Sequence, residues 1–187
     1  DALGFAYRKD LFEDAAEKAA FKAKYGRDLA VPNTWSEFRD AAEFFTRPVS
    51  NLSGAAMLYS IDYDYVTMSF QPLLWSFGGD WCDSNNQVEG VVNSPEAVQA
   101  LTLFVDLLKF NPAGALNFTH EDTEASFIKG ESAMCMDWFG YMATLNSDAN
   151  PYKNQTGYFV MPGATKRFSS LGGQGISLSA YSKNADM

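Results

Sequence analysis

Ser94 followed by Pro95 marks the start of a helix whose other end is equally clear at Asn111-Pro112. A serine hydroxyl accepts from the free amides of a first turn, and proline's fixed φ and missing N–H suit the first helical position. Between these marks, Val98, Leu101, Phe104, Val105 and Leu108 recur at helical spacing as an apolar stripe. Thr34 with Glu37 is a capping box, after which Trp35, Phe38, Ala42 and Phe45 share one face until Arg47-Pro48. Asp10 with Glu13 has the same form at the head of LFEDAAEKAAFKAKYG, which closes on Lys22, Lys24 and the stop residue Gly26. A shorter helix around EDTEASFIKG ends at Gly130. Strands are expected between the helices, at DALGFAYR with its alternating Leu3, Phe5 and Tyr7, and at GAAMLYS, SAMCMDW, TGYFVMP and GISLSA. Helices and strands mixed along the chain without a repeat period predict an α/β layered fold.

Composition limits the function classes. At 187 residues and 47% apolar, the chain can remove roughly 70% of its unfolded surface from water, enough for one well-packed domain. No apolar run approaches the roughly 20 residues of a bilayer span, so the chain is expected to be soluble. Fourteen Lys and Arg against 23 Asp and Glu give a formal charge of -9 without a basic stripe, which argues against nucleic acid as a partner. Cys82 and Cys135 lie in no metal-ligand or Cys-x-x-Cys spacing, leaving one disulfide or, as the favoured reading, two buried thiols. The chain opens without Met directly on a strand pattern, has no signal-peptide pattern, and closes on polar residues after another strand pattern; it reads as a piece of a longer protein.

Catalytic constellations are sparse. The single histidine, His120, falls at a helix start and is expected to be a solvated helix-end residue. The GGQG run, residues 172–175, leads into a strand pattern rather than the helix that a phosphate cradle needs. Asp62, Asp64, Asp80, Glu121 and Glu124 offer carboxylates for glycoside cleavage, but acids this common are ordinarily solvated surface. No metal, cofactor or catalytic residue is assigned. The unusual segment is DYDYVTMSFQPLLWSFGGDW, residues 62–81, where acids and aromatics interleave. Ring faces covering C–H patches and carboxylates taking hydroxyls suit a polyhydroxylated ligand. The same segment can equally be a core helix kinked at Pro72 and stopped by Gly78-Gly79.

The pieces DALGFAYRKDLFE, VPNTWSEFRDAAEFF, FGGDW, VVNSPEAVQALTLFVDLLK, FIKGESAMCMDWF, GYFVMPG and SLGGQGISLSAYSKN follow one another in an order and spacing that resembles the extracellular solute-binding proteins of ABC importers. The resemblance is closest to the carbohydrate-binding group that contains maltose-binding protein, and it covers essentially the whole chain. It implies an incomplete periplasmic-binding-protein type II-like lobe, a three-layer α/β sandwich, from a protein whose two lobes close on ligand about a hinge. Residues 1–161 would form that lobe with both hinge-crossing strands, at residues 1–7 and 156–162, and residues 162–187 would return to the other lobe.

The ligand implied is a small-molecule carbohydrate or polyol. The partner implied is an ABC transporter membrane permease, the place periplasmic or extracellular and attached to the cell envelope, and the full-length protein a monomer. Ligand-binding positions carried over by the likeness are Asp62, Tyr63, Asp64 and Tyr65 in the acid-aromatic loop, Gly79 and Trp81 after the helix stop, Trp138 and Phe139 at the strand exit, and Gly173 and Gln174 from the opposite lobe. Trp138 is preferred as the ring that stacks on ligand. After this strand the chain departs from maltose-binding protein, because Asp137-Trp138 comes two residues sooner than that protein's Gly-Pro-Trp. The competing readings are a glycoside-processing enzyme domain and a binder of a cationic metabolite such as a betaine, caged by the acid-aromatic loop.

Overall fold

The computed structural model describes residues 1–173 and 177–184. Its centre is β1 (Leu3–Arg8), flanked on one side by β2 (Met134–Trp138) and on the other by β3 (Thr156–Val160), both antiparallel to it. The register pairs Phe5 with Met136 across one edge and with Phe159 across the other.

Alternation along these strands divides the core. Leu3, Phe5, Met134, Met136 and Trp138 point to one face and join the larger apolar cluster. Ala6 and Cys135 point to the other, where they meet Phe127, Met142 and Leu145. Helices therefore cover both faces of the sheet, the expected three layers. On the larger side lies α3 (Trp35–Phe45), whose Trp35, Phe38, Ala42 and Phe45 are all buried as its period requires. Phe5 packs on Phe38 at 4.6 Å between ring centroids and stacks on Phe159 at 5.1 Å. The capping box of Thr34 and Glu37 is formed in full.

The helix expected from Asp10 to Gly26 is two helices, α1 (Lys9–Glu13) and α2 (Ala15–Tyr25). Asp10 does not cap; its carboxylate is taken by Arg8 through Nε at 2.7 Å and Nη2 at 2.6 Å. Asp14 caps instead, accepting from the Glu17 N–H at 2.8 Å, and its extended backbone breaks the run.

Residues 62–81 resolve into a loop and α4 (Tyr65–Phe77), a helix with Pro72 inside it and Gly78 as a left-handed stop at φ 94°. Next comes α5 (Pro95–Leu107), capped by Ser94 as expected. Its buried face differs from the expected stripe: Ala97, Ala100, Phe104 and Leu107 pack inward, whereas Val98, Leu101 and Val105 are half exposed. The small face wins because α4 and α5 approach closely there. A Cβ on Gly79 would meet Leu74 Cδ1 at 2.6 Å and the Ala97 backbone at 3.2 Å.

On the other side of the sheet lie α6 (His120–Ile128) and a 3-10 segment, Tyr141–Asn146. Residues 54–60, expected as a strand, run extended beside β2 and are buried from Gly54 to Ser60, but make only isolated bridges such as Ala56 with Cys135. The strand expected at residues 175–180 begins outside the described residues, and its described part, 177–180, is not a strand. Both thiols are free, Cys135 buried and Cys82 half-buried. Among the described residues, no helix is long and apolar enough to cross a membrane.

Candidate ligand cleft

An open cleft of about 580 Å³ lies where the start of α4, the end of β2 and residues 170–173 meet. The helix contributes Thr67, Met68 and Gln71 from one face, with its N-cap residue Asp64 and, before it, Tyr63. Trp138 enters from the exit of β2, His120 from the first turn of α6, and Tyr141 from the 3-10 segment. Ser170, Leu171, Gly172 and Gly173 form the far rim with Asp1. That rim is tied to the sheet: the Leu3 N–H donates to the Ser170 carbonyl at 3.1 Å, and Ser170 Oγ donates to the Met68 carbonyl at 3.3 Å.

Of the positions expected at the site, Tyr63, Asp64, Trp138 and Gly173 line the cleft. Tyr65 stands one layer behind, edge-on to His120 at 4.8 Å. Trp81 also acts from behind, donating from Nε1 to Gln71 Oε1 at 3.2 Å and so orienting a lining amide. Asp62 lies exposed in the loop before α4. Gly79 is enclosed between α4 and α5, where its missing side chain serves helix packing. Phe139 packs with the smaller core cluster, its ring over Gly4. Gln174 lies outside the described residues. Trp138 is only 8% exposed, a core member with one edge in the cleft.

His120 is the main correction to the sequence reading. It is buried, not solvated, with 8% of its surface exposed. Its Nδ1 lies 2.6 Å from Asp137 Oδ1, an oxygen that also accepts from the Trp138 N–H at 2.7 Å. Its ring stacks on Tyr141, centroids 4.6 Å apart and planes inclined by 10°. Burial works against a charge on this imidazole, but the hydrogen bond and charge of Asp137, with Glu121 and Glu124 beyond, outweigh it and hold its pKa above the ordinary value. Burial pushes the Asp137 carboxyl upward, partly offset by His120, the Trp138 amide and the Thr123 hydroxyl. Glu124 is likewise raised by burial, with one oxygen accepting from Thr144 Oγ1 at 2.5 Å and the other buried without a partner among the described residues.

The sequence reading missed Gln71, Thr67, Met68, His120 and Tyr141. For the α4 residues a signal existed, since Asp64, Thr67 and Gln71 place polar groups at i, i+3 and i+7 of an otherwise apolar helix. For His120 and Tyr141 none did, because His120 meets Asp137, Tyr65 and Tyr141 from distant parts of the chain, and Tyr141 is placed by that same ring.

The carboxylates considered for glycoside cleavage are scattered. Asp80 accepts from Trp75 Nε1 at 3.0 Å and from the Trp81 N–H, Glu121 accepts from Thr119 Oγ1, and only Asp64 of the five lines the cleft. Among the described residues no group of His, Cys, Asp and Glu is arranged to hold a metal ion.

The profile of the family described as bacterial extracellular solute-binding protein matches residues 1–186. A maltose-bound MalE3 of T. maritima is similar at 31% identity and a TM-score of 0.72, over 90% of this chain and 41% of that one. A ribitol complex of an ABC transporter solute-binding protein from Agrobacterium radiobacter K84 is similar at 26% identity and a TM-score of 0.73, over 89% and 38% of the two chains. A D-mannitol-bound solute-binding protein of Agrobacterium vitis S4 shares the fold at 24% identity and a TM-score of 0.73, over 87% and 37%. The chain thus spans about two-fifths of the length of the solved structures it matches. Among curated proteins, no relative matches.

Proposed function

Because this chain belongs to the bacterial extracellular solute-binding proteins, we propose that it supplies one lobe of the substrate-binding component of an ABC importer, and that its cleft is half of a sugar or polyol site. The observation that carries this reading is the make-up of the cleft. Trp138, Tyr63 and Tyr141 line it together with Asp64, Thr67 and Gln71. Rings offer apolar faces to sugar C–H groups, while carboxylate, hydroxyl and amide accept and donate to hydroxyls. The maltose and ribitol held by the two relatives above 25% identity belong to that ligand class.

In this reading, residues 1–161 are the lobe, and β1 and β3, neighbours in the sheet, carry the chain to and from the hinge. Residues 162–187 return to the second lobe. Ligand bridging the lobes makes its full set of contacts only when they are closed, so it shifts the open-closed equilibrium by its differential affinity. The closed form then docks on a membrane permease, as a monomer at the outer face of the cell envelope. The protein returns its ligand unchanged.

Calorimetry on the full-length protein with maltose, ribitol, mannitol and glycine betaine tests this. Binding of a sugar or polyol, with the ligand recovered intact after long incubation, is expected. Binding of betaine alone, or consumption of the sugar, would overturn the reading. The isolated lobe is expected to bind far more weakly than the full-length protein, since half of the contacts and the closure are missing; equal affinity would remove the two-lobe premise.

A further inference from the structure

The two ring nitrogens of His120 face different surroundings. Nδ1 lies 2.6 Å from Asp137, and the Asp137 oxygen it meets also accepts the Trp138 amide, an arrangement that suits a carboxylate accepting from Nδ1–H. Nε2 has no partner among the described residues, yet it is not one of the sealed, unpartnered polar atoms such as Trp35 Nε1. His120 itself lines the cleft, and the engagement of Nδ1 by Asp137 leaves Nε2 as the nitrogen it can offer there.

With Nδ1 always a donor to Asp137, protonation changes only what Nε2 is. In the neutral ring Nε2 is an acceptor; in the imidazolium it is a charged donor. We propose that His120 Nε2 is a ligand contact of the cleft whose role inverts with protonation, donating a charge-assisted hydrogen bond to a ligand oxygen when the ring is charged and losing it when the ring is neutral. This rests on the proposed sugar or polyol site.

The surroundings favour the cation. On its own helix His120 faces Glu121 and Glu124; from β2, Asp137; from α4 and the turn before it, Tyr65, with Tyr63 and Asp64 at the cleft; from the 3-10 segment, Tyr141; and from the rim, Asp1. Among the described residues, no Lys or Arg lines the cleft. Asp137 acts as the positioning residue, fixing both the orientation of the ring and the nitrogen that is left to change roles.

The test uses the full-length protein and its His120→Gln variant, with maltose and ribitol as probes. In the ligand-free protein, nitrogen-detected NMR of the imidazole, identified by its loss in the variant, should show the Nδ1–H form when neutral and a pKa above the ordinary 6.5. Affinity for the bound probe should be about fivefold higher near pH 6 than near pH 9, the difference between a charge-assisted and a neutral hydrogen bond. By linkage, that probe should raise the His120 pKa by the logarithm of the same factor. In His120→Gln the affinity should be lower near pH 6 and flat with pH. An Nε2–H neutral form, or a probe that binds without moving the His120 pKa, would overturn the inference while leaving the sugar site intact. Failure of both probes to bind at either pH would remove the site and the inference together.

Discussion

The indole of Trp138 lies against the backbone of Gly172, so closely that a Cβ there would stand 2.7 Å from Cη2 and 2.8 Å from Cζ3. The exit of β2 and the rim of the cleft therefore share one wall. Gly172→Ala should push the ring or the rim aside, changing the tryptophan emission of the folded protein and weakening the proposed sugar or polyol binding in the full-length form, with both read in one fluorescence titration.

Trp138→Ala is expected to cost about 3 to 5 kcal/mol in urea denaturation, the usual range for a large aromatic deleted from a core. The sequence reading prefers this ring as the one that stacks on ligand; its 8% exposure and its place with Met136 in the larger cluster make it a core residue as well.

Gly79→Ala should destabilise by about 1 to 3 kcal/mol, because the new Cβ meets Leu74 and the Ala97 backbone and forces α4 and α5 apart. Gly78→Ala should cost about 1 kcal/mol for a different reason, the positive φ of the helix stop, since nothing crowds that position closer than 3.9 Å. Thermal or chemical denaturation of the two variants separates crowding from backbone strain.

The break between α1 and α2 can be tested at its cap. Asp14→Ala should lose about 1 kcal/mol through the amide left without its acceptor. Asp10→Ala removes an ion pair with Arg8 and leaves the start of α2 untouched.

Stability should fall as pH rises through the His120 transition. A histidine whose folded pKa lies above its unfolded value contributes stability that is fully present below the unfolded value near 6.5 and is lost as pH climbs through the raised one. The stability difference between the wild-type protein and His120→Gln, from denaturation curves between about pH 5.5 and about pH 9, should therefore shrink toward the alkaline end. A difference that grows with pH would reverse the assigned direction.

The helices were legible in the sequence wherever a local device marks them. Thr34 with Glu37 and Ser94 with Pro95 act within a few residues, and the structure places them where the pattern does. Errors arose where a distant partner decided. Asp10 was diverted by Arg8, and α5 turned its small residues inward to fit against Gly79, leaving Val98, Leu101 and Val105 outside. At the cleft, Tyr63, Asp64 and Trp138 came from the likeness to known binding proteins. His120 became visible only once β2 brought Asp137 beneath it, 17 residues further along the chain.

The central position of β1 bears on how the lobe assembles. Its hydrogen-bonding partners are Met134–Trp138 and Thr156–Val160, more than a hundred residues downstream, while α1, α2 and α3 follow it directly. During synthesis the strand with Leu3 and Phe5 leaves the ribosome ahead of both of its partners and must wait, both edges unpaired, until residues 134–160 have followed. Closing loops of that length before any sheet contact forms puts the lobe among slow, high-contact-order folders. It also leaves an apolar strand open to aggregation throughout the interval, a hazard that falls on the biogenesis of the protein rather than on its working state.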